Sequence, residues 1–503
     1  MSYVLSSAQM KDIEHRCIDE LGLPARILME NAGNACADYL IKAYPQITDS
    51  KVVILHGCGN NSGDGFVIAR KLFLAGIDVI LVKVHNAAFT PESEANYKIC
   101  EKLGITMRDF SQKTDLKRWI ELSLQTDILI DAVFGIGFHG ELSEPIQDAF
   151  RFTKPVCKIR IAIDIPSGVN ADTGLCAECA FVATETLDLH CPKLGHLLAH
   201  GVAYSGKLST IDIGIPAQLN GELPHYLIDD DNAELPQRSP FANKSSYGKV
   251  LVIGGSPGYS GSIAMAAKAA LRAGAGYCLL MSRPEMEQHY LHVIPEIMFR
   301  PVPQDKAKQP DPAKLIQILS EVDSVLIGCG LGLDAYALKL LQIVLEHCKA
   351  PLIIDADAIT LIAQNPDLQD YLSQQNIVLT PHLGEFSRLS GIKVQDFFTD
   401  SAKILTDYVE RTQSQILLKN HISIYADVFG LIFNTAGNDG LATGGSGDVL
   451  AGIIASFAAQ GLDIHEAAIN ASYLMGKTAE KLAEKRATPS ILPSDIIDNL
   501  FVY

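Results

Sequence analysis

Two glycine-rich stretches of this chain place proton-accepting side chains beside backbone suited to holding an anion. One is Asn434-Thr-Ala-Gly-Asn-Asp-Gly-Leu-Ala-Thr-Gly-Gly-Ser-Gly-Asp448, which runs straight into an apolar helix. Thr443-Gly-Gly-Ser-Gly447 offers a cradle of backbone N–H groups that fits the phosphates of a nucleotide. Asp448, at the start of that helix, can accept a proton from a hydroxyl while the neighbouring dipoles stabilise a transferring phosphoryl group. The plainer reading is that Asp448 only complements the helix dipole; the five small or glycine residues just before it argue against that. Alone, the segment supports phosphoryl transfer to a hydroxyl. The other stretch is His56-Gly-Cys-Gly-Asn-Asn-Ser-Gly-Asp-Gly65, between a strand and a helix. By itself it reads equally well as a tight turn with Asp64 as a cap. Two further strand ends strengthen it: Asp131-Ala-Val-Phe-Gly-Ile-Gly-Phe-His-Gly140 and Asp164-Ile-Pro-Ser-Gly168. Three loops bearing acids or amides converge on one sheet edge, where ligands bind in open parallel sheets.

Other pieces accompany the C-terminal stretch. They are Lys249 to Gly261, Gly328-Cys-Gly-Leu-Gly332, Asp355-Ala-Asp357, Thr380-Pro-His-Leu-Gly-Glu385 and Leu418-Lys-Asn-His-Ile-Ser423. His382 alone would read as a satisfied loop histidine, and its motif lifts it. Glu385 reads as a surface-loop acid ahead of an outer-shell partner. Cys176-x-x-Cys179 has no matching second pair and reads as loop, not zinc.

Alternating strands and helices must position these groups. Ser7 is expected to cap a helix to about Glu20, and Pro24 to sit in the first turn of another reaching about Ala43. Strands are expected at 51–56, 78–84, 127–132 and 159–164, with helices at 66–75 and 91–103 between them. The pattern lapses over 215–247, where proline and acid clusters crowd, so 217–240 reads as a linker between domains 1–216 and 241–503. Alternation then resumes. Strands are expected at 250–254, 325–328, 352–355, 377–380, 416–419, 422–426 and 431–433, and helices at 263–273, 449–460 and 464–485. Both domains are therefore α/β with mostly parallel sheets covered on both faces.

With 503 residues, two or three domains are expected. A formal charge of −17 argues against nucleic acid as the main partner. No apolar run reaches the ~18 residues of a membrane span, and no secretory signal opens the chain. Eleven scattered cysteines fit a reduced cytoplasm.

The segments Gly59 to Gly65, the Asp131 loop and Asp164-Ile-Pro-Ser-Gly168 resemble the YjeF N-terminal family, the NAD(P)H-hydrate epimerases. The resemblance implies a Rossmann-like α/β/α domain that interconverts the R and S hydrates of reduced nicotinamide. It implies substrate contacts from Asn60, Asn61, Ser62, Gly63 and Asp64, and from Gly135, Ile136, Gly137, Phe138, His139, Gly140 and Glu141. It also implies K+ held by Asn61, Asp131 and Ser167, with Asp164 touching substrate and moving the proton. The C-terminal segments resemble the ribokinase-like fold and, within it, the YjeF C-terminal family of ADP-dependent (S)-NAD(P)H-hydrate dehydratases. There the resemblance makes Asp448 the group that activates the hydrate hydroxyl. Gly261, Ser262, Gly330 and His382 would line the hydrated nucleotide. Lys419, Asn420, His421, Ile422, Ser423 and Gly447 would hold ADP, with Mg2+ accompanying it. Hydrated NADH and NADPH are the implied substrates, and a homo-oligomer the implied assembly. Ser62 stands where the family usually has glycine, and Asn420 where glycine follows the lysine. Both raise the question of left-handed backbone. Leu383 and Ser262 also depart from the usual residues. A ribokinase-like small-molecule kinase and a non-catalytic binding module are the rival readings.

Overall fold

The computed structural model describes residues 2–501 apart from 113–115, 125, 222, 291–293 and 374–375. It divides into two units, Ser2–Leu223 with Phe398–Ala402, and Pro224–Phe397 with the chain from Lys403 onward.

In the first unit, the apolar run Lys51–His56 is an interior strand of a seven-stranded sheet. The order is Thr106–Asp109, Asp78–Lys83, Lys51–His56, Ile128–Ala132, Ile159–Ile163, Glu185–Leu189, Lys207–Ile211, and all pairings are parallel. Period-two alternation sends neighbouring side chains to opposite faces. Val52, Ile54, Ile128 and Ile130 join the core beneath helices Ala25–Ala43 and Asn60–Leu74. Val53, Leu55 and Leu129 join the core beneath Leu116–Ser123 and Glu144–Thr153. The result is the three-layer α/β/α arrangement. From Lys51–His56 the chain builds outward on one side, then returns at Ile128–Ala132 on the other. That reversal opens a crevice at the carboxyl ends of these two strands.

The second unit repeats the device. Met298–Pro301, Tyr277–Ser282, Lys249–Ile253, Ser324–Ile327, Leu352–Ile354, Ile377–Leu379 and Gln415–Leu418 pair in parallel in that order. Ser423–Asp427 and Gly430–Asn434 extend the sheet antiparallel. The reversal falls between Lys249–Ile253 and Ser324–Ile327, whose ends carry Gly254 and Gly328. Helices Ser260–Arg272, Ser446–Ala459 and Ile464–Ala483 share a core with Val250, Val252 and Leu326. Within 217–240, His225–Leu227 pairs in parallel with Gly430–Asn434. Among the described residues, no helix is long and apolar enough to cross a membrane.

Helix starts depart from the sequence expectation in a consistent direction. Those expected at Phe66, Ile263 and Val449 begin at Asn60, Ser260 and Ser446. The first N–H groups of a helix have no intrahelical partner, so a Gly- and Ser-rich first turn can stay open to a ligand. Asn60 to Asp64, Gly261, Ser262, Gly447 and Asp448 therefore sit on first helical turns, not in loops. Ser6, not Ser7, caps helix Ser7–Asp19: its Oγ accepts from Gln9 N–H at 3.2 Å while Gln9 Oε1 accepts from Ser6 N–H at 2.8 Å. Pro24 is the residue before helix Ala25–Ala43, outside its first turn.

Candidate active sites

In the first unit, Ser62 Oγ accepts from Gly57 N–H and donates to the Ala132 carbonyl, both at 2.8 Å. This ties the glycine turn to the neighbouring strand. Ser62 is helical and lacks positive φ, so serine is unstrained there. Asn61 Nδ2 donates to the Phe134 carbonyl at 2.8 Å, while its buried Oδ1 has no partner among the described residues. Asp131 is fully buried and accepts from Ser167 N–H and Oγ–H, each at 2.7 Å, and from Val133 N–H at 3.2 Å. Burial pushes its carboxyl up to about 6 against the pull of those donors. Ser167 Oγ also lies 2.9 Å from Phe134 N and 3.2 Å from its carbonyl. Asn61, Asp131 and Ser167 are thus gathered around one stretch of backbone.

Asp164 ends strand Ile159–Ile163 with φ 66, pinned by its N–H donating to Leu187 O at 2.9 Å. Left-handed backbone costs a non-glycine residue roughly 1–2 kcal/mol, and such strain concentrates at functional sites. Asp164 Oδ2 accepts from Ile136 N–H at 3.1 Å, and Oδ1 lies 2.7 Å from Lys193 Nζ. Gly135 is bare against it: a Cβ there would come within 2.8 Å of Oδ2. Asp64 is no cap. It is buried, and burial and then the Asp164 and Glu14 charges hold its carboxyl well above the usual range. In the loop after Asp131, Phe138 is committed to the core, Gly135 and Ile136 are half-buried, and Gly137, His139, Gly140 and Glu141 are exposed. Nothing in the sequence singles out Lys193 or Glu14, since a lone lysine and a helical acid carry no pattern.

In the second unit, Asp448 lies on the first turn of helix Ser446–Ala459, which follows Gly445 at φ 102. Burial, then the Asp355 charge, pushes its carboxyl up to about 6, while Cys329, Ser262 and Lys419 pull it down. Cys329 Sγ and the Asp355 and Asp448 carboxylates lie within 4.8 Å of one another, the sole such potential metal-holding group among the described residues. Asp355 Oδ1 accepts from Lys419 Nζ at 2.7 Å and from Thr380 Oγ1 at 2.9 Å. A Cβ on Gly447 would stand 3.1 Å from Lys419 Nζ, so the helix start opens onto that ammonium. Gly330, at φ 60, packs with no room for a side chain: a Cβ would meet the Tyr259 carbonyl at 2.7 Å. Asp448, Ser262, Gly330, Lys419 and Gly447 are therefore brought together. Asn420 and His421 are exposed, Ile422 is buried and Ser423 opens a strand. Asn420 lacks positive φ, so the left-handed question does not arise there.

Glu385 corrects the sequence reading. It is buried on helix Leu383–Ser390, where His382 N–H donates to its Oε2 at 2.9 Å and His382 Nδ1 accepts from Gly384 N–H at 2.9 Å. The pair forms a capping box, and the imidazole itself stays over half exposed. Burial pulls the Lys419 ammonium down, but the charges of Asp355 and Glu385 outweigh it. Lys419→Met, which strands the buried Asp355 carboxylate, is expected to cost about 3 kcal/mol, read as a lower denaturant midpoint.

The residues 250–501 match the family model described as NAD(P)H-hydrate dehydratase, and 25–195 match the YjeF-related protein N-terminus. A bifunctional NAD(P)H-hydrate repair enzyme of Moorella thermoacetica is 33% identical over 511 residues, covering 99% of this chain and 96% of its own. The enzyme of that name in Escherichia coli is 32% identical, covering 97% and 91%. This chain belongs to the bifunctional NAD(P)H-hydrate repair enzyme family. A solved ribokinase-like protein of Enterococcus faecalis is 32% identical, with TM-score 0.50, covering 56% of this chain and 95% of its own. The first site therefore lies in the epimerase half of the repair enzyme and the second in its dehydratase half. Lys193, Glu14, Cys329 and Asp355 are among the members of these two sites to which the sequence assigned no role.

Proposed function

We propose that the N-terminal unit interconverts the R and S hydrates of NADH and NADPH, and that the C-terminal unit dehydrates the S form with ADP, giving AMP and phosphate. The observation that carries the reading is Asp448, a carboxylate raised to about 6 beside an open helix N-terminus. Asp448 takes the proton of the hydrate hydroxyl. The freed oxygen attacks the β-phosphorus of ADP, and the bond to AMP breaks. Phosphate then leaves with the electron pair of its C–O bond, a neighbouring carbon gives its proton to water, and the dihydropyridine double bond returns. Hydroxide is a poor leaving group near neutral pH, and phosphate is a good one. The N–H groups of Gly447 and Asp448 and the Lys419 ammonium steady the phosphates. Gly261, Ser262, Gly330 and His382 line the hydrate, and Asn420, His421, Ile422 and Ser423 the adenine nucleotide.

Mg2+ bound with the nucleotide would supply charge neutralisation on the phosphates. Asp355 and Asp448 are the hard oxygen donors nearest the cradle, whereas Cys329 is a poor fit, its buried thiol held neutral. In the epimerase half, the orphaned Asn61 Oδ1, the buried Asp131 carboxylate and Ser167 Oγ fit a hard monovalent cation, and K+ would supply fixed positive charge beside the substrate. Asp164 moves the proton there, with Asn60 to Asp64 and Gly135 to Glu141 holding the substrate. A cytoplasmic setting is supported by eleven free cysteines; a homo-oligomer completes the reading.

The test is product analysis with purified S hydrate. ADP is expected to support turnover better than ATP, with free phosphate and recovered nicotinamide absorbance. Accumulation of a phosphorylated hydrate would instead indicate a kinase. The rate should rise with pH through about 6 as Asp448 ionises, falling roughly tenfold one unit below that value.

A further inference from the structure

Lys193 is completely buried, yet it carries a charge. Its Nζ lies 2.7 Å from Asp164 Oδ1 and donates to the Leu189 carbonyl at 2.8 Å. Burying an ammonium costs several kcal/mol, and an apolar side chain of similar volume would often serve stability as well. The cost points to a task. The acids around it come from separate elements: Glu14 on helix Ser7–Asp19, Asp164 at a strand end, and Asp188 on strand Glu185–Leu189, while Asp64 on helix Asn60–Leu74 faces Asp164 and Glu14. Glu14 is pushed up to about 7 by burial and then by the Asp164 charge. Asp188 is pushed up to about 6 by burial, against the pull of Lys193. Thr210 donates to Asp188 Oδ2 at 3.0 Å, and its Oδ1 has no partner among the described residues. The nearby imidazole of His196 is neutral, pushed down to about 3 by burial and then by Lys193. One cation thus faces several crowded carboxylates. It makes its short contact with Asp164, whose other oxygen already receives the Ile136 N–H of the substrate loop.

We propose that Lys193 is a positioning residue of the epimerase reaction: it grips Asp164 through Oδ1, so that Oδ2 stays aimed at Ile136 and the substrate beside it. The inference rests on Asp164 being the proton-transfer group. Without the ammonium, the crowded carboxylates compete for protons and Asp164 is free to turn.

The test uses the full-length enzyme, measuring epimerase kcat, KM and pH profile, with dehydratase turnover in the same chain and a thermal melt as controls. Lys193→Met is expected to lower epimerase kcat roughly 10²-fold with little change in KM. Its acidic limb should move to higher pH, and dehydratase turnover should be unchanged. Lys193→Met/Asp188→Asn removes one charge of each sign, so a folded chain is available if the single variant unfolds, and the same kinetic change is expected. Lys193→Arg keeps the charge, so its acidic limb should stay in place while its rate falls. A folded double variant with normal rate and profile, or a Lys193→Arg limb displaced as in Lys193→Met, overturns the proposal. Asp164→Asn separates the two levels. If it is inactive while the double variant is normal, only the role of Lys193 falls; if it too is normal, the assignment of Asp164 falls.

Discussion

Asp448→Asn is expected to lower dehydratase turnover by roughly 10²–10⁴-fold, the range for losing a positioned general base, while nucleotide binding stays within a few-fold of normal. The substitution is nearly isosteric. It leaves the Ser446–Asp448 backbone, the Lys419–Asp355 pair at 2.7 Å and the turn at Gly445 in place. What it removes is an acceptor raised to about 6 that could hold a proton near neutral pH. If Asp448 only complements the helix dipole, the change should instead appear as a stability loss of about 0.3–1 kcal/mol with near-normal turnover. Single-turnover kinetics beside nucleotide titration separate the two outcomes.

Asp164→Ala is expected to abolish R-to-S conversion while dehydration of the S hydrate continues in the same molecule. Two effects add. The proton-transfer group is gone, and the buried Lys193 ammonium loses its 2.7 Å partner. Alanine also tolerates φ 66 less well than aspartate, whose short polar side chain suits left-handed backbone. Some fall in melting temperature of the N-terminal unit should accompany the loss. Unchanged epimerisation, followed by chiral separation of the two hydrates, would remove Asp164 from the mechanism.

The sheets were legible because buried parallel strands read as short apolar runs bounded by glycine. Lys51–His56 is recovered residue for residue. The strand ends carrying Asp131, Asp164 and Asp355 were visible for the same reason. Helix starts were not. Asn60 to Gly65 and Ser446 to Gly447 look like loop by propensity, yet they open helices, where the earliest N–H groups have no partner inside the helix. Burial was the other blind spot. Glu385 reads as a surface acid until the capping box with His382 is seen. Lys193 follows Cys191-Pro in a segment with no periodicity, and tertiary contact alone brings it to Asp164, twenty-nine positions earlier in the chain.

The most direct test of two cooperating catalytic units is a single incubation. The full-length enzyme receives ADP, Mg2+ and an equal mixture of R and S hydrates, with the restored nicotinamide absorbance followed to completion. The expected result is complete consumption of both epimers, whereas the Asp164→Ala variant in the same mixture should stall once the S form is exhausted. Wild-type enzyme that stalls at the S fraction would contradict an active epimerase half, and failure to consume either form would contradict the account as a whole.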